Sequence, residues 1–205
     1  QGRWAAASDV EKRQAGGTDR ALNAIGAAET ASRVEAVNGR PGVYRFAHAL
    51  VRSALYDELP TSRRLRLHRD IGIALEQVSD GATHLTELAR HFTEAAALGE
   101  VDKAVLYCRR AGEAALNEVA YEEAAAHFER ALEALELKEP IDEGLRGQLL
   151  LAAGNALYQI TDPRGLTILR AAEASGRARD DLPLLAKVLI GYAASVFTRD
   201  VLPCL

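Results

Sequence analysis

Apolar positions recur every three or four residues along most of this chain, the period of helices that bury one face. Leu85, Leu88, Ala89, Phe92 and Ala96 form one such stripe, and Leu98-Gly99-Glu100 breaks it before a further helix from about Val101. Upstream, Leu50, Val51, Ala54, Leu55 and Leu59 predict a helix over 47–59. Pro60 stops it, because proline lacks an N–H and its ring collides with the preceding turn. Thr61 or Ser62 can cap the next helix, whose apolar side reads Leu67, Ile71, Ala74 and Val78 up to a break at Asp80-Gly81. Leu22, Ile25 and Ala28 allow a weaker helix from Asp19. One stretch departs from the helical period. Val34–Val37 and Val43–Phe46 read as extended segments joined through Asn38-Gly39-Arg40-Pro41-Gly42, where two glycines supply positive φ and proline fixes a turn. Residues 1–17, small and polar with Gly16-Gly17 and an isolated Trp4, read as a linker or the remnant of a preceding domain.

The downstream helices carry a repeat signal. With Val105 taken as position one, Ala111 and Gly112 fall at positions seven and eight, Ala124 at twenty, Phe128 at twenty-four and Ala131 at twenty-seven. This small-small, small, aromatic, small order resembles the tetratricopeptide repeat, a helix pair of about 34 residues that hides its apolar face against the next pair. Cys108 and Ala115 stand where larger residues are usual, and Pro140 comes late. A second pair has Leu150, Ala153, Gly154 and Leu157 on its first helix, a turn at Asp162-Pro163, and a return helix over 166–178. Arg170 and Glu173 there occupy places where an aromatic and an alanine are commoner. Leu182–Phe197 reads as the first helix of a third pair. The expected fold is therefore mostly all-α, a tetratricopeptide-like array over 83–205 preceded by a small unit over 18–80 with one short hairpin; an ordinary helical bundle is the alternative.

Composition narrows the chemistry. At 48% hydrophobic, 26% charged and 5% aromatic residues with 6 prolines, the chain has the balance of a folded helical protein. Cys108 and Cys204 are too far apart in sequence for a redox pair or a zinc half-site, which fits a reducing compartment. No apolar stretch has membrane-spanning length and no signal-peptide core precedes the first helix, so a cytoplasmic location without membrane contact is expected. The chain starts at Gln1 and holds no methionine, as expected of a piece of a longer protein. Residues 1–75 carry twelve Lys or Arg against eight Asp or Glu, and residues 76–205 thirteen against twenty-one, as two modules with different neighbours would.

Candidate catalytic groups are sparse. Of His48, His68, His84, His91 and His127, none forms H-E-x-x-H, and His84 and His91, seven apart, lack a completing ligand; surface or cap positions are expected, with no metal. No serine sits in G-x-S-x-G, and Glu122-Glu123 and Asp180-Asp181 read as solvated helix ends. No enzymatic activity of this chain is expected. Arg63, Arg64, Arg66 and Arg69 form a basic cluster that could contact phosphates. Their spacing spreads them around a helix, which favours acidic protein neighbours over DNA.

The stretch from Tyr44 to Leu59, YRFAHALVRSALYDEL, followed by Arg63-Arg64-Leu65-Arg66-Leu67-His68, resembles the segment joining the ATPase domain to the helical repeats in STAND-class signalling ATPases. These include LuxR-type transcriptional regulators and cyclase-linked relatives. The likeness covers about residues 33–200 and is strongest over 43–79. It implies that residues 18–80 form a winged-helix-like unit and that the repeats bind an inducer or protein partner in their groove. It also implies an ATPase domain in cis, with ATP or ADP bound there and no cofactor in this chain, which has no G-x-x-x-x-G-K-[ST]. By the same resemblance His48 would reach the phosphates of bound ADP. The alternative is a nucleic-acid-binding winged-helix module with a helical oligomerisation region.

Overall fold

The computed structural model describes residues 19, 22–39, 43–78 and 83–200, with side chains at 78 and 193–200 left aside. The linker at 1–17, turn residues 40–42, the Asp80-Gly81 break and Cys204 lie outside the described residues. Among these residues the chain is mostly helical with one two-stranded antiparallel sheet, as the apolar periodicity predicts. It divides into two compact units between Pro60 and Thr61.

The first unit holds helix α1, helical over residues 22–30, strands β1 (Val34–Ala36) and β2 (Tyr44–Phe46), and helix α2 (Ala49–Asp57). Val34 pairs with Phe46 and Ala36 with Tyr44. The Val37 N–H donates to the Val43 carbonyl at 2.9 Å, and Gly39 takes a φ of +78° in the turn. No described residue of this unit is buried, and Leu50 is 83% exposed.

The second unit is a row of helices: α3 (Thr61–Val78), α4 (Leu85–Glu94), a 3-10 turn (Ala96–Leu98), α5 (Val101–Asn117), α6 (Tyr121–Leu135), α7 (Glu143–Gln159), α8 (Arg164–Ala178) and α9 (Leu182–Asp200). Each packs on the next, and α9 also reaches α7. Glycines set the spacing within the pairs. A Cβ at Gly112 would lie 2.7 Å from the Phe128 ring, and one at Gly154 would lie 2.8 Å from Leu169. Ala111, Ala124, Ala131 and Ala153 are buried beside these crossings, as the repeat pattern predicts.

Two expectations change. First, α3 belongs with the repeats and not with the unit over 18–80: a Cβ at Gly72 would lie 3.0 Å from Phe92, so α3 and α4 form a helix pair of the same kind. The side of α3 that packs carries His68 and Gly72, whereas Leu67 and Ile71 are 41% and 43% exposed. Thr61 is itself helical, so it starts α3 rather than capping it from outside. Second, α8 keeps the pattern one residue early. Leu169 and Ala172 are fully buried where Arg170 and Glu173 are not, and Gly165 lies against backbone atoms of Leu157 and Tyr158. The glycine crossings recur at Gly72, Gly112 and Gly154, intervals longer than the tetratricopeptide period of about 34 residues.

A polar link locks the first two pairs together. Glu76 of α3 accepts from the Tyr107 hydroxyl at 2.7 Å and from Lys103 Nζ at 2.6 Å, while Tyr107 stacks on Phe92 with ring centroids 5.4 Å apart. Burial and the Glu76 hydrogen bond push the Tyr107 phenol up to about 12. Farther along, Asp142 caps α7 by accepting from the Leu145 N–H at 3.0 Å, and Arg164 of α8 holds Glu129 of α6 at 2.9 Å.

Replacing Gly112 by leucine forces a side chain into space occupied by Phe128. Helix propensity favours leucine by less than about 1 kcal/mol, and overpacking a crossing costs about 1 to 3 kcal/mol. Gly112→Leu should therefore lower unfolding free energy by more than about 1 kcal/mol in denaturant titrations; an unchanged midpoint would place Gly112 outside any crossing.

Candidate functional site

The helices that open each pair share a face on which two pockets lie. Between α5 and α7 is a pocket of about 150 Å³ whose lining includes Val105, Leu106, Arg109 and Leu145, with the paired Asp102 and Lys138 at its edge. Between α7 and α9 is a larger one of about 420 Å³, lined by Leu151, Asn155, Tyr158, Gln159, Lys187, Ile190 and Gly191. The repeat places these positions here. Gly112 and Gly154 commit one side of α5 and α7 to the partner helix, and Arg109 and Leu151, each three positions earlier and so about 60° round the helix, line the adjoining pockets. A third pocket of about 170 Å³, lined by Thr83, Glu87, Glu118, Glu123 and His127 among others, lies between α4 and α6 at the end of α5.

The basic cluster is split around α3. Arg63 and Arg66 are exposed, Arg64 and Arg69 half-buried, and Arg69 lies 3.5 Å from its neighbour Asp70. Counting from Gly72 as from Gly112, Arg66 and Arg69 hold the repeat places that Leu106 and Arg109 hold in α5, and Arg63 and Arg64 do not. His48 sits at the N-cap position of α2 with an exposed side chain that makes no cap hydrogen bond; only its carbonyl is engaged, by the Val51 and Arg52 N–H groups.

The other histidines correct the surface assignment. His84 is at the N-cap position of α4, but His68, His91 and His127 are buried. His68 Nδ1 and His91 Nδ1 are 3.1 Å apart at the α3–α4 crossing, and Arg90 lies 3.2 Å from His91 Nε2. The arginine can only donate, so His91 Nε2 accepts and its proton sits on Nδ1, shared toward His68. A second proton on His91 would have to sit on Nε2, facing the guanidinium. Burial, Arg90 and His68 accordingly hold His91 down to about 4. Burial lowers His68 and His127 as well. The sequence offered one sign of this pair: His68 lies one turn before Gly72 and His91 adjoins Phe92, the two crossing residues.

Among the described residues no group of three or more His, Cys, Asp or Glu is placed to hold a metal ion, and no helix is long and apolar enough to cross a membrane. Comparison with protein-family models, with curated proteins and with solved structures gives no match to this chain.

The three buried histidines fix the sign of a pH effect. Their folded-state pKa values lie below the ordinary 6.5, so the unfolded chain takes up protons first as pH falls. Their contribution to stability is complete above 6.5 and is lost progressively toward about 4. Asp162 and Glu173, held low by hydrogen bonds from Arg164 and Arg177, add their loss only at the acid end of that window and below it. The melting temperature should fall between about pH 7 and 5 and fall less in His91→Gln; a level curve in the parent chain would contradict the buried neutral pair.

Proposed function

We propose that this chain is a regulatory and interaction module of an ATP-dependent signalling or transcriptional regulator, with a tetratricopeptide-like array that binds an inducer or protein partner on the face shared by α5, α7 and α9. The observation that carries the reading is the pair of pockets between successive first helices, of about 150 and 420 Å³. Stacked helix pairs expose such a continuous face by construction, because each buries its other sides against its own partner and the next pair. The family assignment rests on the Tyr44–His68 stretch. In that reading the first unit adjoins an ATPase domain, ADP is bound there, and His48, exposed and without a cap hydrogen bond, is available to its phosphates. An imidazole suits that role because it donates to phosphate while neutral and gains charge near neutral pH.

In the regulator that carries this chain, Leu106→Glu and Ile190→Glu alter exposed groove positions without touching the core. Each should reduce the response to inducer or partner at least tenfold while leaving the melting temperature of the chain unchanged, and His48→Ala should weaken ADP retention and raise basal output. A full response in both groove variants would reject the binding face; unchanged ADP affinity with a less stable chain would make His48 structural.

A further inference from the structure

The larger groove pocket has a chemistry that narrows what it takes. Its described lining contains one charge, Lys187, and no acid. Lys187 makes no ion pair among the described residues, a condition it shares with Arg110, Arg130 and Arg170, and of these it is the one that lines this pocket. Beside it the Asn155 and Gln159 amides can donate hydrogen bonds, and Leu151 and Ile190 form apolar walls. Gly191 keeps the site open: a Cβ there would stand 2.7 Å from the Asn155 side-chain oxygen, so a larger residue would displace that amide or close the cleft.

Resting on the groove reading above, we propose that this pocket binds a small organic acid, its carboxylate on Lys187 and the Asn155 amide and its apolar body against Leu151 and Ile190. A single ammonium matches a monoanion; a phosphate ester carrying nearly two charges would want a second cation or an arginine fork, and none is among the described lining. The volume of about 420 Å³ is near the lower end of the ligand-pocket range and accommodates a whole small molecule. An extended acidic peptide running on toward α5 would meet two cations that already face carboxylates, Lys138 at 2.6 Å from Asp102 and Arg109 at 3.6 Å from Glu113.

The test is titration of this chain with octanoate, 1-octanol and octylamine, and with a leucine-rich tetrapeptide in free-acid and amide forms, followed by calorimetry and by amide shifts. Octanoate should bind saturably, at least tenfold more tightly than the alcohol or the amine, and shift resonances of α7 and α9. Lys187→Gln should cost at least tenfold in octanoate affinity with no change in melting temperature, and Lys187→Arg should retain most of it. Equal binding of octanol, or undiminished octanoate binding by Lys187→Gln, would overturn the proposal. So would binding of the acid-ended peptide without octanoate, which would assign the site to a peptide terminus. Failure here alongside a lost inducer response in Ile190→Glu would remove the ligand class and leave the groove reading standing.

Discussion

The array depends on how closely its paired helices can approach. At Gly72, Gly112 and Gly154 the absence of a side chain lets Phe92, Phe128 and Leu169 lie where a Cβ would be at 2.7 to 3.0 Å, and small residues around these points let the backbones close. Ala104, Ala124, Ala131, Ala153, Ala156 and Ala172 are all fully buried, so the core consists of close backbones with a few large side chains between them. Each glycine gives up about 1 kcal/mol of helix propensity relative to alanine, which the dispersion contacts of a buried ring and the apolar area it removes from water offset. The same constraint locates the groove. Once one side of α5 or α7 is committed to its partner, the side carrying Leu106 and Arg109, or Leu151 and Asn155, is turned to the neighbouring first helix and to solvent.

Polar groups add register to this packing. The first crossing brings His68 against His91 at 3.1 Å and draws Glu76 to Lys103 and Tyr107, so three helices are tied by hydrogen bonds with defined donors and acceptors. Buried polar atoms that lose such partners cost more than the bonds contribute when made, which makes the arrangement selective for one alignment of α3 on α4 and α5. Neutral imidazoles are what that environment accepts. Protonation at His91 opposes both the burial and Arg90, so this crossing becomes the acid-sensitive part of the array. His127 has an Nδ1 atom that is buried and finds no partner among the described residues, and it adds to the same sensitivity.

Much of this was legible in the residue pattern, for a physical reason. Small-small and aromatic positions at fixed spacing report the crossing directly, which is why Ala111, Gly112, Phe128 and Ala131 could be placed from sequence, and the hairpin followed from two valine-containing segments around glycine and proline. Register was harder. Gly72 was not recognised as a crossing because its partner Phe92 lies four positions later than Phe128 does from Gly112, and α3 was assigned to the preceding unit on the strength of Leu67, Ile71 and Ala74. Those residues do form a helical stripe, but α3 is apolar on two sides, and periodicity alone does not say which side packs. In α8 a one-residue shift hid Leu169 and Ala172 behind Arg170 and Glu173. The α7–α9 pocket was not legible, since Asn155 and Lys187 are distant in sequence and each alone reads as a solvated helix position.

The array begins at Thr61, with α3 and α4 as its first helix pair. Native-state hydrogen exchange on the whole chain reads this most directly. Amides of α3 should be protected together with those of α4 to α7, because the Gly72–Phe92 crossing and the Glu76 hydrogen bonds open only when the array opens, while α1, the hairpin and α2 exchange faster, having no buried residue among those described. If α3 instead exchanges with α1 and α2 while α4 onward stays protected, the array begins near residue 83 and the α3–α4 crossing does not hold the fold.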